Sequence, residues 1–196
     1  SIYQTGLPSV TMNLVVSLVM IVYNHILAGF GPLALATLGL CFRINGLVTM
    51  VLFGIGHGVM PMVAFSEGAG HTKRLVETVR VAVKCSALFA AFSSLILIIF
   101  ARPILTAFSN DMDLLRMAVP ALKIFVATLV LAGPSIVWIN MFIGLGKGMT
   151  AMFLMLTRDI IFLIPMLLIL PLFIGVNGAW MAQPLSMILA FLMILA

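Results

Sequence analysis

The chain has 196 residues, 64% of them hydrophobic and only 8% charged, with a formal net charge of +5. That balance lies far outside the proportions of a soluble globular domain and reads as an integral membrane chain. The basic excess comes without the patch of cations and stacking aromatics that nucleic-acid binding requires, so its origin is sought in membrane topology.

No charged residue occurs from Ser1 to Phe42, Ile44 to Ser66, Cys85 to Ala101, Ile124 to Gly146 or Ile160 to Ala196. Such runs suit helices crossing a hydrocarbon layer that takes about 20 apolar residues each. The expected architecture is an all-α membrane protein, a six-transmembrane-helix bundle forming a single unit over residues 1–196. The first helix is expected over about 7–28, ending at "AGFGP". It is not expected to be a cleavable signal peptide, because no basic region precedes its apolar stretch. Ser9, Asn13, Ser17 and Asn24 fall within roughly 80° of one another on a helical wheel, leaving Leu, Val and Ile for the lipid side. This stripe either hydrogen-bonds a neighbouring helix, at about 0.6 kcal/mol per group, or lines a cavity.

The second helix is expected over about 34–65 and contains "FRINGLVTMVLFGIGHGVMP". Gly39, Arg43, Gly46, Met50, Gly54, His57 and Pro61 share one face, again within roughly 80°. The small residues permit close approach of a neighbouring backbone, and a titratable group at membrane depth belongs on a bundle interior or wet cavity. Met50 and His57 are therefore candidate cavity residues, and Gly39, Gly46, Gly54 and Pro61 candidate packing or hinge positions. Arg43 is near enough to the outer end to snorkel. The segment after this helix holds Glu67, Lys73, Arg74, Glu77, Arg80 and Lys84.

A third helix is expected over about 76–100, followed by a polar elbow, "ARPILTAFSNDMD", and a fourth over about 114–144. Pro134 lacks a backbone donor and should bend the fourth helix near its middle, as a packing kink or a hinge. A fifth helix is expected over about 151–171 and a sixth over about 176–196, with Pro165, Pro171 and Pro184 repeating the interruption. Basic loops stay on the cytoplasmic side, which places Lys73, Arg74 and Lys147, with Arg158 shortly after, inside. Both termini are then cytoplasmic, in the plasma (inner) membrane. Arg43, Glu67, Lys73, Arg74 and Lys147 read either as topology determinants or as gate contacts.

Chemistry beyond the membrane is sparse in the pattern. Cys41 and Cys85 fit no metal spacing and are expected as small buried hydrophobes. His25, His57 and His71 lie on separate segments without acidic or thiol partners, so no metal site is expected. No convergent nucleophile, base or oxyanion set suggests an enzyme. Glu67, Glu77, Asp111, Asp113 and Asp159 all read as helix-end or loop residues, which predicts that this bundle holds no buried carboxylate.

Several motifs, in order along the chain, resemble one repeat of the multidrug and toxic compound extrusion (MATE) transporters. These are "GLPSVTMNLVVSLVMIVYNHILAGFGPLALATLGLCFRINGL", "GVMPMVAFSEGAGHTKR", "FIGLGKG", "RDIIFLIPMLLILP" and "VNGAWMAQPLSMILAF". Arg43 in "FRINGL", with "RDIIFLIP", favours the C-terminal of the two six-helix lobes. The chain departs from the family's pattern at Phe65, Ser66 and Glu67, where relatives carry a polar run, and at Met187, where an aspartate is common. The resemblance implies export of cationic or amphipathic small molecules in exchange for H⁺ or Na⁺ by alternating access. It also implies a second six-helix lobe, covalent or as a dimer, and no cofactor beyond the coupling ion. With no buried acid expected in this lobe, the coupling acid is expected in the other. A lipid-linked oligosaccharide flippase-like lobe or a non-transporting assembly module are the alternatives.

Overall fold

The computed structural model describes the backbone of residues 2–195 and the side chains of residue 11 and residues 14–193. The chain runs through α1 (Ile2–Ala28), α2 (Pro32–Gly68), α3 (Thr72–Ile99), a short α4 (Ala101–Thr106), α5 (Met112–Ala127) and α6 (Leu129–Gly144). It continues through α7 (Gly148–Leu156), a π-helical turn (Thr157–Leu163), α8 (Ile164–Ile174) and α9 (Val176–Leu195). Since α5 and α6 form one bent rod and α7, the π-turn and α8 one continuous rod, the fold is an all-α bundle of six rods. Pro32–Gly68, Thr72–Ile99, Gly148–Ile174 and Val176–Met193 are each long and apolar enough to span a membrane, the α5–α6 pair passes as a fifth span bent by 44°, and Leu14–Ala28 is a shorter apolar stretch.

Turn chemistry sets the reversals. Gly31, Gly70, Gly146 and Gly175 all have positive φ, a backbone region that only glycine enters without steric cost. Each sits between successive rods. Pro32 then starts α2 at a position whose missing N–H would be unpaired in any case. The remaining reversal uses α4 in place of a plain elbow, and Asp111 closes it by accepting hydrogen bonds from the Asp113 and Leu114 backbone N–H groups at 2.9 and 3.4 Å.

The bend in the fourth rod lies at Thr128, between α5 and α6, and not at Pro134. A proline ring clashes with the carbonyl four residues earlier, so its disturbance appears on the N-terminal side. Ser94 of α3 donates its hydroxyl to the Val126 carbonyl at 2.7 Å, supplying a partner for an acceptor beside the break.

Between apolar spans there is little water to exclude, so association depends on close packing. A Cβ added to Gly133 on α6 would lie 2.7 Å from the Ser86 carbonyl oxygen on α3, and one added to Gly144 would lie 2.7 Å from that of Met60 on α2. These contacts bring α6 against both neighbours. The main core holds the fully buried Tyr23, Leu27, Leu122, Leu167 and Trp180, gathered from α1, α5, α8 and α9. Cys41 is buried as expected, whereas Cys85 is exposed on α3.

Candidate functional site

The glycine-rich stripe of α2 is a single face, and it points outward. Gly39, Arg43, Gly46, Met50, Gly54, His57 and Pro61 are all exposed, and Met50 is 75% exposed. Where a Cβ would stand on Gly39, Gly46 or Gly54 there is open space. His57 stacks on Phe53 one turn earlier, with ring centroids 6.3 Å apart. Among the described residues, no other helix comes within 4 Å of a Cβ built at these three glycines.

On α1, Ser17 and Asn24 are exposed, and Asn24 donates its side-chain amide to the Met20 carbonyl at 2.9 Å. The side chains of Ser9 and Asn13 lie outside the described residues. The expectation that this helix leaves Leu, Val and Ile for the lipid side holds for the exposed Leu14, Val16, Leu18 and Ile21 but fails at Val15 and Val19, which are buried in the core. The polar stripe shares its face with the exposed Leu14 and Ile21.

The inner side of α2 builds a cavity of about 190 Å³ with α5, α6, α7, the π-turn and α9. Its polar wall consists of Asn45, Thr49, Asn140, Arg158 and Gln183, and Phe53, Phe125, Met155 and Met187 supply apolar surface. Asn140 donates to the Ile136 carbonyl at 2.9 Å. It fits beside α2 because position 56 is glycine, where a Cβ would stand 2.7 Å from the Asn140 amide nitrogen. The Oδ1 of Asn45 is buried and finds no hydrogen-bond partner among the described residues.

The π-turn corrects the expectation of a bundle without a buried carboxylate. Asp159 is only 4% exposed, and it lies well inside the continuous apolar span Gly148–Ile174. Arg158 donates Nε to Oδ1 at 2.8 Å and Nη2 to Oδ2 at 3.0 Å, a two-pronged pairing. Adjacent side chains on an ordinary α-helix do not face each other; here the wider turn, with the Ile164 N–H reaching back to the Asp159 carbonyl, hosts the pair. Pro165 follows directly and lacks the N–H that would bond the Ile161 carbonyl, which favours loss of regular α-geometry at this point. Arg158 is thus part of the interior and not of the basic loop. Beside the pair, the fully buried Tyr23 points its hydroxyl at Gln183 Oε1, 3.4 Å away.

At the ends of the bundle, Glu67, Lys73, Arg74 and Lys147 are exposed, and the turns that carry them lie at the same end of an antiparallel six-rod bundle. Arg43 and Lys123 face outward, so neither lines the cavity. The motif reading singled out no role for Asn45, Thr49, Asn140, Asp159 or Gln183. Asn45 lies in the very stretch that drew attention, on the opposite side of α2 from the stripe. The adjacent opposite charges of "RD" within an apolar run were the available signal for the π-turn.

The MatE family model matches residues 8–169. The chain is 26% identical over 192 residues to the multidrug export protein MepA of Staphylococcus haemolyticus, covering 97% of this chain and 42% of that protein. It is 25% identical to MepA of Staphylococcus saprophyticus over 177 residues, 90% and 39% of the two chains. Among solved structures, the Vibrio cholerae MATE transporter VcmN in its bent form superposes with a TM-score of 0.91 at 21% identity, over 97% of this chain and 44% of that one. The inward-facing conformation of a multidrug resistance MATE family transporter superposes at 0.87 and 20% identity, over 98% and 45%. At these identities the structural likeness concerns the fold. The chain spans about two fifths of the length of the relatives it matches.

Proposed function

This chain belongs to the MatE family, and from that premise we propose that it is one lobe of a secondary exporter. It moves cationic or amphipathic small molecules out of the cell in exchange for H⁺ or Na⁺, by alternating access between two lobes. The observation that carries the reading is the bare outer face of α2. Arg43, Met50 and His57 stand exposed there among three glycines whose outer side is open space among the described residues, a surface suited to a partner lobe and a solute path. The match to relatives described as multidrug export proteins, and the likeness to a neighbour described as inward-facing and another as outward-facing, support the same reading.

In it, α1 and α2 contribute cavity wall through Ser9, Asn13, Ser17, Asn24, Met50 and His57. The cytoplasmic ends contribute gate contacts through Glu67, Lys73, Arg74 and Lys147. Gly39, Gly46, Gly54 and Pro61 admit the second lobe closely, and the α5–α6 bend acts as the hinge. Both termini lie in the cytoplasm and the lobe sits in the plasma membrane. Asp159 removes the ground for assigning the coupling acid to the other lobe by elimination, and Arg158 already holds its carboxylate. A flippase for pyrophosphate-linked sugars would need several unpaired cations on its wall; among the described residues the inner cavity carries Arg158, paired with Asp159, and the outer face of α2 adds Arg43 alone.

The test is exchange in proteoliposomes containing the intact protein. An imposed inward H⁺ or Na⁺ gradient is expected to drive movement of a fluorescent organic cation against its own gradient. Movement unaffected by either ion, or absent altogether, would overturn the reading.

A further inference from the structure

Between α3 and α5 the chain turns through α4, and this reversal carries cations for which export supplies no role. Arg102 of α4 and Arg116 of α5 are exposed and line one groove of about 390 Å³, whose other walls are Met112, Leu115, Val119 and Pro120. We propose that this groove binds a phospholipid with a negatively charged headgroup, its phosphate meeting the two guanidiniums and an acyl chain lying against Val119 and Pro120.

The charge is unbalanced within the protein. Among the described residues neither guanidinium has a carboxylate within 4 Å. Asp111 accepts from the Asp113 and Leu114 N–H groups as the cap of α5. Asp113 shares an adjoining hollow with Arg116 and Asn177 but stops short of pairing distance. Two guanidiniums on one wall call for an anion, and their forked N–H groups match the oxygens of a phosphate. A zwitterionic head would bring a cation of its own to a wall that already holds two.

The setting selects a lipid over a free anion. The runs from Cys85 to Ala101 and from Ile124 to Gly146 are free of charge, so Arg102 and Lys123 stand where the chain leaves hydrocarbon. Lys123 is exposed on α5; seven residues after Arg116 it lies about 20° away around the helix and about 10 Å further along it, and its long side chain can reach toward the same headgroup level. With the turns of Lys73, Arg74 and Lys147 in the cytoplasm, these three cations run against the bias that keeps Lys and Arg inside. Topology therefore does not account for them. A bare phosphate would gain the cations alone, whereas a lipid also covers the apolar wall.

Native mass spectrometry of the purified intact protein tests this, with phosphatidylglycerol and phosphatidylcholine of identical acyl chains as the probes. The first phosphatidylglycerol is expected to bind about tenfold tighter than the first phosphatidylcholine. Arg102→Gln and Arg116→Gln should each weaken phosphatidylglycerol about threefold, and together they should abolish the preference, with phosphatidylcholine binding unchanged as the check on folding. Arg102→Lys with Arg116→Lys keeps the charge and should keep most of the preference. Lys73→Gln with Arg74→Gln, at the opposite end of the bundle, should leave it intact, and millimolar inorganic phosphate should not displace the lipid. Equal binding of the two lipids, a preference that survives the paired Gln change, or one lost equally in the paired Lys change would overturn the proposal. So would loss of the preference on changing Lys73 and Arg74, or displacement by inorganic phosphate, which would mark a site for a free anion.

Discussion

Gly54 and Gly56 are two residues apart on α2 and serve different surfaces. At Gly54 the space beyond the backbone is open, and at Gly56 it is filled by Asn140 and Ile136 of α6. The same division runs along the helix. Arg43, Met50 and His57 are exposed on the outer face, while Leu38, Cys41, Leu52 and Val59 are buried on the inner one. A helix in a membrane can therefore be rich in small and polar residues on one side and assemble its own lobe with the other. Periodicity finds the side that differs from lipid-like sequence. It does not say which side the rest of the chain covers.

Substitutions that break or sharpen this division follow in order of size. The largest effect belongs to the inner side. Asp159→Leu leaves the half-buried Arg158 on the cavity wall without its partner and is expected to cost up to about 3–5 kcal/mol in detergent unfolding, whereas replacing both members with apolar residues of similar size should cost far less. Equal losses in the single and paired variants would show that the pair is not interior. Next, Gly133→Ala sets a methyl against the Ser86 backbone carbonyl and should cost about 1–3 kcal/mol; backbone cannot rotate away as a side chain can. Gly56→Ala meets the Asn140 and Ile136 side chains, which can give, so its loss should fall at or below the low end of that range. Smallest is Gly54→Ala, where open space and better helix propensity predict a gain of up to about 0.5–1 kcal/mol. A loss at Gly54 matching that at Gly56 would erase the distinction between the faces.

Much of the bundle is legible in the sequence because its determinants are local. Charge-free runs mark the spans, and Gly31, Gly70, Gly146 and Gly175 mark reversals where the chain needs positive φ. The bend is legible only approximately: Pro134 announces it, but the break settles at Thr128, where Ser94 of a different helix can partner the Val126 carbonyl. The cavity is hardly legible at all. Asn45, Asn140, Arg158 and Gln183 come from four separate parts of the chain, and no local spacing links them. Asp159 is misread for a physical reason. Charges next to each other suggest a membrane boundary when counted singly, yet a pair that cancels itself can be carried into the span. The π-turn that makes adjacent side chains meet leaves no periodic signature beyond Pro165.

Whether the outer face of α2 lines an aqueous path or rests against lipid is decided by thiol labelling of the intact protein in membrane vesicles. Met50→Cys and His57→Cys would be placed in a Cys85→Ser background and treated with a charged, membrane-impermeant thiol reagent. Leu88→Cys, on the 71% exposed outer surface of α3, serves as the lipid-facing reference. The predicted result is rapid labelling at positions 50 and 57, slowed by a transported organic cation, and none at 88. Positions 50 and 57 as unreactive as 88 would contradict it and return the stripe to the bilayer.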